Sequence, residues 1–111
     1  MANPTKLTWR APATWGDNVT PFRQSDFKGW LVEADGKPAV SVPIAWDADG
    51  VYEIPLTNVP ALASIGKHTV AMRTVSIDPE DVTKTLTSPA STTATYTITG
   101  TPLPPLDVAV A

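Results

Sequence analysis

This sequence predicts an all-β chain folded as an antiparallel sandwich, and three observations carry that prediction. Strand-like segments recur at Leu7-Thr8-Trp9, Gly29-Trp30-Leu31-Val32-Glu33, Tyr52-Glu53-Ile54 and His68-Thr69-Val70-Ala71-Met72-Arg73, each placing large apolar side chains two residues apart. Twelve prolines and six glycines cut the 111 residues into short pieces that no long helix survives. Abundant Thr, Val and Ile suit the pleated, half-buried surface of a sheet. A single domain of this length removes roughly 60 to 70% of its extended-chain surface from water on folding, so it needs no covalent staple.

The elements follow in order. Lys6 to Arg10 forms the first strand, with Leu7 and Trp9 on the core face, and Pro12 ends it. Ala13 to Lys28 holds no steady period, and Gly16, Asp17, Asn18, Pro21 and Ser25 mark it as a long loop. The second strand runs from Gly29 to Ala34, with Trp30 and Val32 inward. Asp35-Gly36-Lys37-Pro38 is a hairpin turn into a strand over Ala39 to Ala45, which Pro43 confines to a sheet edge because proline has no N–H to donate. Asp47-Ala48-Asp49-Gly50 is a second tight turn, returning the chain into Val51 to Leu56 with Tyr52 and Ile54 inward.

Asn58 to Gly66 reads as a crossing loop with one helical turn at Ala61 to Ser64. His68 to Ile77 is the longest strand, with Val70, Met72 and Thr74 alternating inward. Asp78 to Lys84 reads as a polar loop, and Ser91 to Thr99 as the last strand, with Ala94, Tyr96 and Ile98 on one face. The compact domain is therefore expected to occupy residues 1–100. Residues 101–111 form a tail, in which Gly100-Thr101-Pro102-Leu103-Pro104-Pro105 is a polyproline-like spacer and Leu106, Val108 and Val110 alternate as a strand would.

Composition excludes several classes of function. Without cysteine there is no disulfide framework, thiolate metal site or cysteine nucleophile, and folding in a reducing compartment is expected. Eight Lys and Arg against eleven Asp and Glu, scattered along the chain, cannot supply the clustered positive charge that nucleic acid requires. The amino terminus carries no recognisable signal peptide, and no apolar run reaches the roughly 20 residues of a spanning helix.

His68 is the sole histidine, so a histidine-based metal site would need several carboxylates converging on it; a core or corner role is the expectation. Asp47-x-Asp49-Gly50 matches the opening of a calcium loop, but Asn58 stands where its bidentate Glu belongs. No phosphate loop, nucleophile elbow or paired-histidine motif occurs. No catalytic residue, metal or cofactor is expected, and hence no enzyme. Trp15 and Phe22 in the first loop, with Trp46 before a turn, are the aromatics available either to contact a protein or glycan or to cap the sandwich.

Leu7-x-Trp9-x-x-Pro12, Gly29-Trp30-x-Val32, Tyr52-x-Ile54, Gly66-Lys67-His68-Thr69-Val70-x-Met72-Arg73-x-Val75 and Ser88-Pro89-Ala90-Ser91 with Thr93 to Thr97 resemble strands B, C, E, F and the entry to G of a fibronectin type III domain. The resemblance implies an immunoglobulin-like sandwich of six to seven strands, with strand A short or missing because only Met1 to Thr5 precede strand B. Where that family closes a corner with a tyrosine hydroxyl, this chain has His68, six residues after Leu62, and an imidazole is a weaker substitute. An uncovered strand B would leave unpaired main-chain groups along one sheet edge. Leu106 to Ala111 is the strand available to cover it, and only a tail donated by a neighbouring copy would lie antiparallel to B; the alternative is a loose terminus that covers nothing.

A cysteine-free sandwich of this kind with a β-prone tail looks like a bacteriophage virion protein. The resemblance implies a structural or decoration component of a capsid, neck or tail surface, assembled in the host cytoplasm and docked on other virion proteins or on copies of itself. The alternative is a carbohydrate-binding or host-surface adhesion module using Trp15, Phe22 and Trp46. Neither nucleic acid nor membrane insertion is expected.

Overall fold

A computed structural model describes residues 3–47 and 50–110 of the chain. It contains seven strands: β1 (Lys6–Arg10), β2 (Phe27–Ala34), β3 (Val40–Val42), β4 (Val51–Pro55), β5 (Gly66–Asp78), β6 (Asp81–Thr87) and β7 (Ala94–Ile98). All pair antiparallel. β1 and β4 make one small sheet, while the other has the order β3-β2-β5-β6, with β7 also on β5. The strands that resemble B and E thus pair with each other, and those that resemble C, F and G lie in the facing sheet, as an immunoglobulin-like sandwich requires. No strand precedes β1 among the described residues.

Alternation sends one face of each sheet into a shared core. Leu7, Tyr52 and Ile54 from the small sheet meet Trp30, Val32, Val70, Met72 and Ile98 from the large one, and all eight are buried. Trp9 and Tyr96 are half-buried against that cluster. Val42, Ala34, Leu56, Val59 and Leu62 complete it. The last three come from a 3-10 turn (Leu56–Asn58), the residue after it, and a four-residue helix α1 (Pro60–Ala63) with proline in its first turn. The helical turn therefore begins one residue before the expected Ala61 and ends one before Ser64.

The turn after β2 has Asp35 at φ 54° and Gly36 at φ 73°, with the Lys37 amide donating to the Ala34 carbonyl. Two consecutive left-handed residues make a turn that follows the twist of its strands, and glycine takes such a φ without strain. β3 is an edge strand, yet it covers only Val40–Val42, because its pairing with β2 stops at Trp30↔Val42 and Pro43 follows. Tyr52 closes the next turn: its hydroxyl donates to the Asp47 carbonyl at 2.7 Å. Ala48 and Asp49, and with them the middle of the expected Asp47-to-Gly50 turn, lie outside the described residues.

Two expectations are corrected beyond β5. Asp78 to Lys84 is not a loop: the chain reverses at Asp78-Pro79-Glu80-Asp81, where the Glu80 amide donates to Asp78 Oδ1, and continues as β6 through Thr87. The last strand starts at Ala94 rather than Ser91. Between them the chain leaves β5, and two serine hydroxyls replace the missing ladder. Ser88 Oγ accepts from the Thr74 amide and Ser91 Oγ from the Met72 amide, each at 2.9 Å. The long β5 is therefore covered on one edge by two short strands with a serine-bridged break between them.

Candidate functional site

Three places on the domain are candidates for a functional site: the free edge of β1 with the tail, the aromatic loop at one end, and the histidine corner at the other.

Among the described residues β1 is paired on one side only. The Leu56 amide donates to the Thr5 carbonyl at 3.0 Å, one residue beyond the Lys6↔Pro55 register. Antiparallel pairs alternate, so Leu7 and Trp9 turn their main-chain groups to β4, while Lys6, Thr8 and Arg10 turn theirs to the free edge. Beside that edge a predominantly apolar cleft of about 180 Å³ runs between β1 and Ser91, Thr92 and Ala94, with Trp30 and Met72 also in its lining. Trp9 and Trp30 both contribute to this lining, and their indole Nε1–H groups are buried without a hydrogen-bond partner among the described residues. A buried donor left unpaired costs about 1 to 3 kcal/mol.

The tail does not fill it. Residues 101–110 contain no strand, and Leu103, Leu106, Val108 and Val110 are 79 to 101% exposed. The molecule measures 78 Å along one axis against 27 and 22 Å across, because the tail projects from the sandwich. Its exit is fixed by Asn3, whose Oδ1 accepts from both the amide and the hydroxyl of Thr99 at 3.0 Å, so the tail leaves at the end where β1 begins. Ala111 lies outside the described residues.

The first loop is an ordered small hairpin. Asp17 accepts from the Val19 and Thr20 amides and the Thr20 hydroxyl, Thr14 bridges to Pro21, and the Phe22 amide donates to the Ala13 carbonyl. This holds Trp15 against Phe22 at 5.3 Å and Phe22 against Trp46 at 5.8 Å. A β-bulge between Phe27 and Gly29 turns Phe27 inward, where it meets both Trp46 and Trp30. The three sequence-selected aromatics thus continue the core's own ring cluster. Phe22 is buried, Trp15 and Trp46 are half-buried, and their planes are tilted by 46 to 57°. Trp15 and Phe22 form one wall of an open cleft of about 630 Å³ whose other residues include Arg10, Asn18, Thr87 and Ser88.

At the opposite end His68 is 5% exposed and engaged at both ring nitrogens. Nε2 lies 2.6 Å from the Ser64 carbonyl, which can only accept, and Nδ1 lies 2.9 Å from Asp35 Oδ2. Two acceptors call for two donors, hence for the imidazolium beside an ionised carboxylate. Asp35 Oδ1 also accepts from the Thr69 amide. The Asp35 carboxylate, then the Ser64 carbonyl, raise the His68 pKa above its ordinary 6.5, while His68 and the Thr69 amide hold Asp35 below 3.8.

The corner hydroxyl comes from Tyr96, which pairs with His68 across β5 and β7 and donates to the Leu62 carbonyl at 2.7 Å. Burial, and secondarily the Asp35 carboxylate, raise the Tyr96 phenol above 10.0, keeping it a neutral donor. Sequence reasoning expected a core or corner role for His68 but missed Asp35 and Tyr96. The Asp-Gly dipeptide carried a turn signal only, and Tyr96 reads as an ordinary strand aromatic.

The pH dependence follows with a definite sign. His68 contributes stability that is complete below 6.5 and is lost as pH rises through its raised folded value. Asp35 contributes above 3.8 and loses its contribution as pH falls through its lowered one. Between those two values both contributions are complete. The advantage of the wild type over His68→Gln in urea midpoint is expected to be greatest near about pH 5.5 and to shrink as the pH is raised toward about 9. Parallel midpoints across that range would mean that the imidazolium is not formed.

Among the described residues no group of three or more His, Asp, Glu or Cys side chains could hold a metal ion, and no helix is long and apolar enough to cross a membrane. No family model matches the chain, and neither a curated protein nor a solved structure does.

Proposed function

We propose that this chain is a non-enzymatic structural or decoration component of a phage virion, attached to its particle by protein–protein contacts that include the tail. The observation that carries the reading is the tail itself, which projects four exposed apolar side chains away from a finished core. Exposed apolar side chains held clear of the parent domain suit burial against another protein. A cysteine-free sandwich suits a particle assembled in a reducing cytoplasm and used outside it. Virions purified through a density gradient are expected to contain the full chain at fixed stoichiometry, and a chain ending at Gly100 is expected to be missing from the particle fraction. Finding the full chain only in the soluble fraction would reject the proposal.

A second reading, a glycan-binding adhesion module, is favoured by the cleft in which Trp15 and Phe22 stand beside Arg10 and Asn18. Aromatic faces with neighbouring polar groups suit sugar rings. A glycan array without signal would remove it.

A further inference from the structure

We propose that the free edge of β1 takes Leu106–Val110 from a second copy of the chain as an antiparallel strand, with Asp107 opposite Arg10. The inference rests on the reading of the tail as an attachment element and names its partner.

Four observations converge. The edge offers unpaired main-chain groups of Lys6, Thr8 and Arg10 beside an apolar cleft. Main-chain groups of an added strand would pair with those of Lys6, Thr8 and Arg10. The tail has the matching length: β1 and Leu106–Val110 are five residues each, about 17 Å. It has the matching pattern too, with Leu106, Val108 and Val110 on one face and Asp107 and Ala109 on the other.

The fourth observation is direction, which selects a second copy over the chain's own tail. Thr99 is tied to Asn3, so the tail starts at the Lys6 end of β1, and a direct return along that edge runs parallel to β1. An antiparallel run in the same molecule must first reach the Arg10 end, about 17 Å away. Gly100 to Pro105 spans at most about 20 Å fully extended, leaving no residue to make the reversal. A neighbouring molecule has no such constraint.

Register follows from two requirements. The apolar face of the tail must share the inward side with Leu7 and Trp9, which restricts the pairing to shifts of two residues. Of these, one places Leu106 opposite Ala11, the residue after β1, Asp107 opposite Arg10, Val108 opposite Trp9, Ala109 opposite Thr8 and Val110 opposite Leu7. It joins opposite charges on the solvent face, and Arg10 and Asp107 make no other ion pair among the described residues. Asp107, at φ 54° in the undocked tail, becomes extended on pairing. Reciprocal exchange closes a two-fold dimer, and one-way donation builds a head-to-tail series.

Light scattering after gel filtration tests this on the full chain. The full chain is expected to give at least twice the 11.8 kDa of a single copy, and a chain ending at Gly100 the mass of one. Asp107→Arg is expected to release monomers, and adding Arg10→Asp to that variant to restore the oligomer. The tail substitution lies outside the folded core and leaves the melting curve of the monomer unchanged. A monomeric full chain overturns the proposal, as does an oligomer that survives truncation. Restoration failing in a folded double variant rejects the register. A monomeric full chain that still enters particles through its tail would leave the virion reading standing while this inference falls.

Discussion

Replacing Trp30 by alanine is expected to cost about 3 to 5 kcal/mol, a large share of the about 5 to 15 kcal/mol that holds a domain of this kind together. The side chain is 2% exposed and lies between both sheets. It meets Trp9 edge-on at 5.9 Å, Tyr52 at 5.0 Å and Phe27 at 4.9 Å, so its removal leaves three large rings facing a void. Because those neighbours come from β1, β4 and the bulged start of β2, the cavity cannot close by moving one element. Trp30→Phe keeps most of the ring contact and deletes a buried N–H that has no acceptor, so it is expected to be much milder. Urea denaturation followed by circular dichroism measures both; a loss below about 1 kcal/mol for the alanine variant would contradict this account of the core.

Leu62→Ala should be the second most damaging change, at about 2 to 5 kcal/mol. Leu62 is fully buried, yet it sits on a helix of four residues, far too short to be stable by itself. The helix persists because Leu62 plugs the end of the sandwich and because its carbonyl accepts from the Tyr96 hydroxyl. Truncating the side chain removes the plug and loosens the acceptor together, so the effect should exceed that of Met72→Ala, whose side chain retains some exposure. Comparing urea midpoints of the two variants checks the ranking. Equal losses would mean that the end plug contributes nothing beyond its own volume.

Legibility in the sequence followed burial. β1, β2, β4 and β5 each have one wet and one dry face, and their period-two pattern of Trp, Tyr, Leu, Ile and Val marks them directly. β6 has no such mark. Val82, Lys84 and Leu86 share one face and Thr83, Thr85 and Thr87 the other, all of them exposed, so no hydrophobic alternation distinguishes the strand from a polar loop. It is a strand because the unpaired edge of β5 provides a ladder to join. Phe27 was hidden for a different reason: the bulge after it shifts the alternation by one residue, and a bulge is a property of pairing, invisible in one strand read alone.

The candidate sites divide in the same way. The alternation of Leu106, Val108 and Val110 and their separation by a proline-rich spacer are visible in the chain itself, because both are local patterns. That the tail stands clear of the core, that β1 has a free edge, and that the tail leaves from the end where β1 begins are tertiary facts.

The sequence by itself determined the fold class and the inward faces of the four main strands, since each depends on spacing between near neighbours. Only the tertiary structure decided that Asp35 and Ser64 hold His68, that Tyr96 supplies the corner hydroxyl, and that Trp15, Phe22 and Trp46 join one cluster with the core. These are contacts between residues up to 34 positions apart, set by strand register and loop closure, and no local period encodes them.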